Sequence, residues 1–291
     1  MNPMLADLLA RTDGVMAGQG NGWQPDPLLR SPAGDYHGAL QVGVDLGTAY
    51  TVLVVLDEAG HPIAGEYQFA QVVRDGLVVD FVGAVALLRT LKQRVEVNLG
   101  VTLTSAASAF PPGVPQAEVR ATANVLYAAG LECTGLVDEP TAANNVLQIR
   151  NGAIIDVGGG TTGIAVVKEG EVVYTADEAT GGTHFTLVVA GAQGISFEQA
   201  ETLKQDLREQ RRLFPVVRPV MEKVATIVER HIAGWSVEAL YLVGGACAFL
   251  GMDRVIREVT GVPTFLPPNP LFVTPLGIAL EHGKNLAEIR D

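Results

Sequence analysis

The chain has 291 residues, of which 48% are apolar and 18% are charged, and its formal net charge is −12. This length and apolar content suffice to bury a core for two lobes without disulfides. The acidic balance argues against nucleic acid or an anionic membrane surface as a partner, and no apolar run reaches membrane-spanning length. The two cysteines have no CxxC spacing, so we expect a cytoplasmic protein.

The first 36 residues read as an extension that is separate from the rest. Leu5, Leu8 and Leu9 have helical spacing, and the stretch that follows, up to Tyr36, is rich in Gly, Pro and Asp. This pattern predicts a short amphipathic helix on a flexible tether. The helix either packs on its own globule or serves as a docking peptide, and the sequence favours the first interpretation.

A strand-turn-strand segment begins at Val42 and reads VGVDLGTAYTVLVVL. An apolar strand leads to Asp45, a turn contains Gly47 and Thr48, and a second β-branched strand follows. Glycine lets backbone N–H groups approach phosphate oxygens, threonine adds a hydroxyl donor, and an aspartate can hold Mg²⁺ through its waters. The segment therefore predicts a phosphate-binding turn.

Strands and helices alternate over the next hundred residues. We expect a helix from about Phe81 to Val97, a strand that ends before Pro111, a helix that Gly130 stops, and a further helix just after Pro140. This alternation indicates a mixed sheet covered by helices.

The strand-turn-strand pattern occurs a second time, as AIIDVGGGTTGIAVVKEGEVVY from Ala153, with Asp156 in the place of Asp45. The glycines formally satisfy G-x-G-x-x-G, but a β-branched strand follows them where a dinucleotide site requires a helix. Two such copies facing each other would surround a triphosphate. The phosphate-binding residues predicted in the second copy are Gly158, Gly159, Gly160, Thr161 and Thr162.

A family resemblance rests on six segments, namely VDLGT, DEPTAA, DVGGGTT, TGGTHF, FEQAETLK and YLVGGA. Their order is that of the phosphate-1, connect-1, phosphate-2 and adenosine motifs of the actin, hexokinase and heat-shock chaperone ATPase superfamily. VVRDGLVVDFVGAV and the PLFVTPLGIA ending resemble the EutJ family of ethanolamine-utilisation proteins, and the match covers about residues 41–283. The resemblance implies an α/β protein with an actin-like ATPase fold, in which two lobes with mixed sheets surround a nucleotide cleft. The lobes would be residues 37–150, completed by 273–291, and residues 151–272.

The resemblance also assigns roles to individual residues. It implies ATP and Mg²⁺ as cofactors, with Asp45 and Asp156 holding the metal through water and acting with Glu139 in catalysis. Glu139 would orient or deprotonate the attacking water. Gly277 would allow the last helix to pack closely. The expected contacts to ribose and base come from Glu201, Lys204, Gly244 and Gly245. For Glu201 and Lys204 a surface ion pair is the alternative.

One departure from the superfamily lies beside the second turn. Related proteins carry an acid after the second threonine of GGGTT, whereas this chain has Gly163. We also find no counterpart of the chaperones' catalytic lysine. Both differences favour a weak Mg-dependent ATPase.

The resemblance implies an ATP-binding, chaperone-like conformational switch that acts on a protein client in ethanolamine utilisation. That client would be the cobalamin-dependent ethanolamine ammonia-lyase or a component of its microcompartment. A small-molecule kinase and an actin-like filament protein are the alternatives.

Overall fold

The computed structural model describes residues 3–19, 38–74 and 76–290. The chain forms two compact units, one made of Met1–Leu147 with Phe272–Asp291 and the other of Gln148–Leu271. No helix among the described residues is both long enough and apolar enough to span a bilayer.

The first unit is built on a six-stranded sheet with the order β1-β4-β3-β2-β7-β8. Its strands are β1 (Met16–Gln19), β2 (Gln41–Leu46), β3 (Tyr50–Leu56), β4 (Pro62–Phe69), β7 (Ser105–Phe110) and β8 (Glu132–Asp138). β5 (Val73–Arg74) and β6 (Leu77–Val78) form a separate small hairpin. Strands β2, β3 and β4 are antiparallel neighbours, whereas β2, β7 and β8 are parallel. The carboxyl ends of β2, β7 and β8 therefore lie at one edge of the sheet.

The helices of this unit are α1 (Pro3–Val15), α2 (Phe81–Leu99), α3 (Gln116–Ala128), α4 (Glu139–Leu147) and α9 (Val273–Arg290). Asp80 caps α2 by accepting the N–H of Gly83, and Gly100 ends it in the left-handed conformation at φ 70°. Leu88 and Leu91 on the buried side of α2 pack in one core with strand residues such as Val44 and Leu53. The helix therefore follows its predicted bounds within two residues.

The N-terminal boundary differs from the sequence-based expectation of a separate extension over residues 1–36. β1 pairs in parallel with β4, and Met16 is fully buried against Gly65. Leu9 of α1 is also fully buried. Residues 3–19 are therefore part of the first unit, because they bury apolar side chains and extend its sheet. The expected tether, which ends at Tyr36, lies outside the described residues from residue 20 onward.

Helix α9 packs directly on the backbone of the first unit. A Cβ at Gly43 of β2 would lie 2.5 Å from the carbonyl oxygen of Pro275 and 2.7 Å from the nitrogen of Ala279. A Cβ at Gly277 would overlap the carbonyl of Ala142 in α4. The close packing predicted for Gly277 is confirmed, and α9 is thereby held on the strand that leads to the first turn.

The second unit repeats the order of the first. Its sheet has the order β11-β10-β9-β12-β13, with β9 (Asn151–Val157), β10 (Thr162–Lys168), β11 (Glu171–Glu178), β12 (Leu240–Val243) and β13 (Thr264–Phe265). Strands β9, β10 and β11 form an antiparallel meander, and β12 lies parallel to β9 on its other side. β4-β3-β2-β7 has this same arrangement. The repeated sequence pattern is therefore a repeated sheet topology.

Four α-helices cover the second sheet, namely α5 (Gly182–Gln193), α6 (Phe197–Gln205), α7 (Leu207–Ile232) and α8 (Met252–Thr260). Helix α6 begins with a reciprocal cap, in which Ser196 and Gln199 bond each other's backbone N–H. Leu213, Val217 and Met221 on α7 are fully buried with the strand residues Ile155 and Leu242 in one core.

Candidate functional site

The first turn joins β2 to β3. The N–H of Gly47 donates to the carbonyl of Tyr50 at 3.0 Å, which closes the turn. A Cβ at Gly47 would lie 2.7 Å from that carbonyl oxygen, so the turn needs glycine there. Asp45 lies opposite Val52 in the β2–β3 register, just before the turn. The predicted Gly47 and Thr48 are thus placed at the tip of a tight hairpin.

The second turn is closed by an equivalent hydrogen bond. The N–H of Gly158 donates to the carbonyl of Thr161, again at 3.0 Å. Asp156 stands two residues before this glycine, as Asp45 does before Gly47, and it lies opposite Gly163. The same residue pattern therefore produces the same closing hydrogen bond in each unit.

The segment TGGT, Thr180–Thr183, holds the second turn from one side. The N–H of Gly182 donates to Gly158 O at 2.9 Å, and the N–H of Thr183 donates to Gly159 O at 2.8 Å. In a planar trans peptide, the C=O of one residue and the N–H of the next point in opposite directions. The N–H groups of Gly159 and Gly160 therefore point away from α5, as donors to a phosphate would.

This close approach depends on Gly181. A Cβ there would lie 2.7 Å from Gly158 O and 2.9 Å from Gly159 O, which are backbone atoms that cannot move aside. The Gly181 N–H donates to Nδ1 of His184 at 3.2 Å. His184 therefore has a structural role here. Glycine at position 181 allows α5 to begin in close contact with the second turn.

Thr162 differs from the other predicted phosphate contacts. Its side chain is fully buried, and its hydroxyl donates to the carbonyl of Thr180 at 2.6 Å. In this arrangement the hydroxyl proton of Thr162 fixes the TGGT segment. The backbone groups and the partly exposed Thr161 are the donors that remain for a phosphate.

Gly244 brings the adenosine motif against Asp156. β12 lies beside β9 with Val243 in register with Asp156, so the two strands end at the same edge. Gly244 has φ 87°, and a Cβ there would overlap the Asp156 carboxylate and lie 2.6 Å from Val157 O. Gly244 and Gly245 then lead into a short 3₁₀ helix, Gly245–Ala248. Position 244 therefore requires glycine, both because of its positive φ and because of these close contacts.

Both cysteines are packing residues. Burial and the nearby charge of Asp156 raise the pKa of the Cys247 thiol far above its ordinary value, and burial raises the pKa of Cys133. Neither thiol is primed as a nucleophile.

Glu139 is the first residue of α4, directly after β8. Asp138 accepts the N–H of Thr141 at 3.0 Å and so caps the helix. Since β2 and β8 both run parallel to β7, Glu139 and Asp45 lie at the same edge of the first sheet. Glu139 is partly buried.

Glu201 and Lys204 form an ion pair on α6, but this pair is not on the surface. The exposed fraction of the side chain is 11% for Glu201 and 14% for Lys204, and their charged atoms are 2.7 Å apart. Both bond to α5 through Thr186. The surface ion pair considered from the sequence is therefore wrong.

Sequence reasoning missed Asp177 on β11. It lies opposite Gly163, and a Cβ at Gly163 would be 3.8 Å from Asp156 Cβ and 3.9 Å from Asp177 Oδ1. A carboxylate from the neighbouring strand thus approaches the space that the missing acid would occupy. The alternation of β11 could have placed Asp177 on this face, but only once its pairing with β10 was known.

Each unit carries one aspartate of a kind that can contribute to holding a hydrated magnesium ion. No group of three His, Cys, Asp or Glu side chains in the described part of the chain could hold a metal by itself. Mg²⁺ usually keeps several waters and needs one or two carboxylates together with phosphate oxygens. Asp45 and Asp156, each beside a turn with backbone donors, are groups of that kind.

Comparisons with known proteins agree with this architecture. The family model for the type IV pilus assembly protein PilM matches residues 141–272, and the model for MreB/Mbl protein matches residues 63–191. The structure of MreB5 of Spiroplasma citri bound to AMPPNP has a TM-score of 0.70 at 17% identity, covering 87% of this chain and 99% of that chain. The prediction of an actin-like ATPase fold is confirmed.

Two relatives are much closer in sequence. Ethanolamine utilization protein EutJ of Escherichia coli (strain K12) is 46% identical over 250 residues, which are 86% of this chain and 88% of the relative. The crystal structure of ethanolamine utilization protein EutJ from Carboxydothermus hydrogenoformans has a TM-score of 0.86 at 43% identity, and the match covers 95% of this chain and 98% of that one. The chain therefore belongs to the EutJ family of ethanolamine utilization proteins.

Proposed function

We propose that the chain binds Mg-ATP through its two turns and acts as a nucleotide-controlled conformational switch on a protein client of ethanolamine utilisation. The observation that carries the proposal is the pair of similar turns, each closed by a 3.0 Å hydrogen bond and each preceded by an aspartate. Backbone donors at such turns suit anionic phosphate oxygens. Asp45 and Asp156 supply the negative charge that a hydrated Mg²⁺ requires.

Mg-ATP hydrolysis is proposed to be slow. Phosphoryl transfer depends mainly on positioning and on charge stabilisation, with a base or water-orienting group for the nucleophile. Glu139 lies at the sheet edge that also carries Asp45, which suits the role of base or water-orienting group. This chain has Gly163 where related proteins carry an acid. We therefore propose that it acts as a conformational switch and not as an enzyme with rapid turnover.

Calorimetric titration with Mg-ATP tests the binding step. Asp45→Asn and Asp156→Asn preserve side-chain volume and remove one charge each, so each should weaken binding by about tenfold or more. Asp57→Asn is the matched control, because Asp57 caps the turn at the opposite end of the β3 strand and an Asn side chain can still accept the N–H of His61. Equal affinities in all four proteins would reject the proposal.

The client is proposed to be ethanolamine ammonia-lyase or a microcompartment component. Support comes from membership of the EutJ family and from the superfamily resemblance to chaperones. Co-purification from cells grown on ethanolamine, with ADP or a non-hydrolysable ATP analogue in the buffer, tests it. A partner retained equally with both nucleotides would contradict a switch. Phosphorylation of ethanolamine would instead support a kinase, and pelleting with Mg-ATP a filament.

A further inference from the structure

Helices α7 and α8 are basic elements of an acidic chain. Together they carry eight lysines and arginines and five acids, whereas the whole chain has 20 basic and 32 acidic residues. Their buried sides belong to one core of the second unit, so the two helices also present their outer sides together. A local positive surface on a negative protein attracts negatively charged partners.

The side chain of Phe214 lies where α7 meets α8. Its ring centroid is 5.3 Å from Cζ of Arg254 and 5.9 Å from Cζ of Arg218. Both arginines also pair with Glu258, at 3.5 Å and 3.0 Å respectively. A guanidinium group has five N–H donors, so donors remain on both arginines for a further acceptor. Cations that are already held in place lose little side-chain entropy when a partner binds.

Arg211 adds a further charge on α7. Its neighbours Arg208 and Arg212 pair with Asp206 and Glu209, at 2.7 Å each. Arg211 is exposed and forms no ion pair with any residue that the structure describes. Its charge is therefore available to an acid of another molecule.

Two exposed leucines lie at the same end of this helix pair. Leu207 begins α7 and is 77% exposed, and Leu250, just before α8, is 47% exposed. Gln210, one turn after Leu207, accepts the N–H of Leu250 at 2.9 Å. This hydrogen bond places Leu250 beside the start of α7, where Leu207 lies. Large apolar side chains that are exposed together are typical of an interaction surface.

The α7–α8 surface is the name we give to Leu207, Arg211, Phe214, Arg218, Leu250 and Arg254. Its four residues on α7 are spaced by four, three and four positions, so they share one side of the helix over about 16 Å. A partner helix of about three turns has this length. Cations beside exposed leucines are complemented by an amphipathic helix that carries acids along its apolar side.

An anionic membrane fits this surface less well than a protein segment does. The net charge of −12 opposes adsorption of the chain to a negative bilayer. Glu222 and Glu258 lie beside the surface, both paired with Arg218. A partner helix can place its acids away from these two carboxylates, whereas a bilayer of uniform negative charge cannot.

We propose that the α7–α8 surface docks an acidic amphipathic helix of a protein partner. Leucines of that helix would cover Leu207 and Leu250, and its carboxylates would bond Arg211, Arg218 and Arg254. The proposal deepens the proposed function, because it rests on the chain acting on a protein client. It does not depend on Mg-ATP binding.

Fluorescence anisotropy with a labelled model peptide tests the chemistry of the surface. The probe is a helical peptide of about 18 residues with leucines on one face and glutamates beside them, and the comparison peptide has glutamine in place of every glutamate. We expect the full chain to bind the glutamate peptide about tenfold more tightly than the glutamine peptide, or better. Equal affinities, or no saturable binding of the glutamate peptide at about 1 mM, would overturn the proposal.

Arg211→Glu reverses the uncompensated charge and should weaken binding of the glutamate peptide by about tenfold or more. Lys223→Glu is the matched control, since it makes the same charge change on α7 but lies about 18 Å further along and on another side of the helix. Its affinity should stay within about twofold of the wild-type value. Equal losses in the two variants would show that overall charge attracts the peptide, and would overturn the proposal.

Leu207→Ala tests the apolar part of the surface. Removal of this side chain should weaken binding of the glutamate peptide by about threefold to tenfold. Val97→Ala is the control, because Val97 is also 77% exposed but lies on α2 in the first unit. An effect of Leu207→Ala no larger than that of Val97→Ala would overturn the proposal. All four substituted side chains are exposed, so each variant should keep the fold, which circular dichroism checks.

Other occupants of the surface give different results. Cosedimentation with vesicles of phosphatidylglycerol and phosphatidylcholine that Arg211→Glu abolishes would assign the surface to lipid. A concentration-dependent dimer that Leu207→Ala abolishes would assign it to a second copy of the chain. Either result would overturn the proposal.

Titrations of the wild-type chain separate this proposal from the nucleotide site. If the chain binds the glutamate peptide but not Mg-ATP, the nucleotide part of the proposed function fails and the docking surface stands. If it binds Mg-ATP but not the peptide, the docking surface alone is rejected.

Discussion

The two turns share one closing hydrogen bond but differ in what surrounds them. The strand before the first turn is held by α9, which packs on Gly43 and bonds through His282. The second turn is held at its tip, by the N–H groups of Gly182 and Thr183 on one side and by Gly244 against Asp156 on the other. Sequence repetition therefore specifies the hairpin, whereas nearby glycines decide how tightly its donors are fixed. The second turn should be the more sensitive to substitution.

The largest expected effect is on the first unit's proposed base. Glu139→Gln keeps the side-chain volume and removes the carboxylate, so it should lower ATP hydrolysis by about a hundredfold or more. Mg-ATP affinity should stay near the wild-type value, because the role assigned to Glu139 is exercised on water. Single-turnover hydrolysis and calorimetry check the two halves. Unchanged hydrolysis would remove Glu139 from the mechanism.

The next largest effect is expected when the TGGT segment can no longer pack closely on the second turn. Gly181→Ala places a Cβ against Gly158 O and Gly159 O, so overpacking should destabilise the protein by about 2–3 kcal/mol and weaken Mg-ATP binding. Urea unfolding and titration measure both effects.

Gly163→Ala is the control for Gly181→Ala, because its Cβ would make only ordinary contacts at 3.8–3.9 Å. If both alanine variants lower stability and Mg-ATP affinity to the same extent, the close contacts at Gly181 are not what holds the second turn.

A smaller effect is expected for the missing acid. Gly163→Asp introduces the carboxylate that related proteins carry. The backbone of Gly163 is not in the left-handed region, and a Cβ there makes only ordinary contacts. The wild-type rate should be below about 1 per second, and the variant should be about tenfold faster if that charge is limiting. Gly163→Asn is the uncharged control. If Asn accelerates hydrolysis as much as Asp, charge is not the cause.

The smallest effect concerns the strand before the first turn. The N–H of Val42 donates to Nδ1 of His282, so the proton of the neutral ring is on Nε2, which donates to Ser105 Oγ. Burial lowers the pKa of His282 from 6.5 to about 4. The folded state therefore holds His282 neutral, and stability is lost only as pH falls from about 6.5 towards 4.

Proton NMR can follow this titration directly. The His282 ring signal, assigned with a His282→Asn variant, should stay unshifted down to about pH 5. A His282 signal that titrates with an ordinary midpoint would contradict this picture of the α9 contact.

Local sequence patterns predicted the hairpins well. Each consists of β-branched strands around a glycine turn, and these preferences act over a few neighbouring residues. The pairing of β1 with β4 was not predictable, because MAGQ has no alternation of apolar and polar residues and its partner lies some fifty residues away. The partners of Lys204 were equally hidden. Spacing of three predicted the Glu201 contact, but Thr186 and Gly182 come from another helix.

The structure of the full chain with Mg-AMPPNP tests the central claim most directly. The account predicts phosphate oxygens about 3 Å from backbone nitrogens of both turns, including Gly159 and Gly160, with Asp45 and Asp156 holding the metal through water. A nucleotide bound away from these turns would contradict the proposed function.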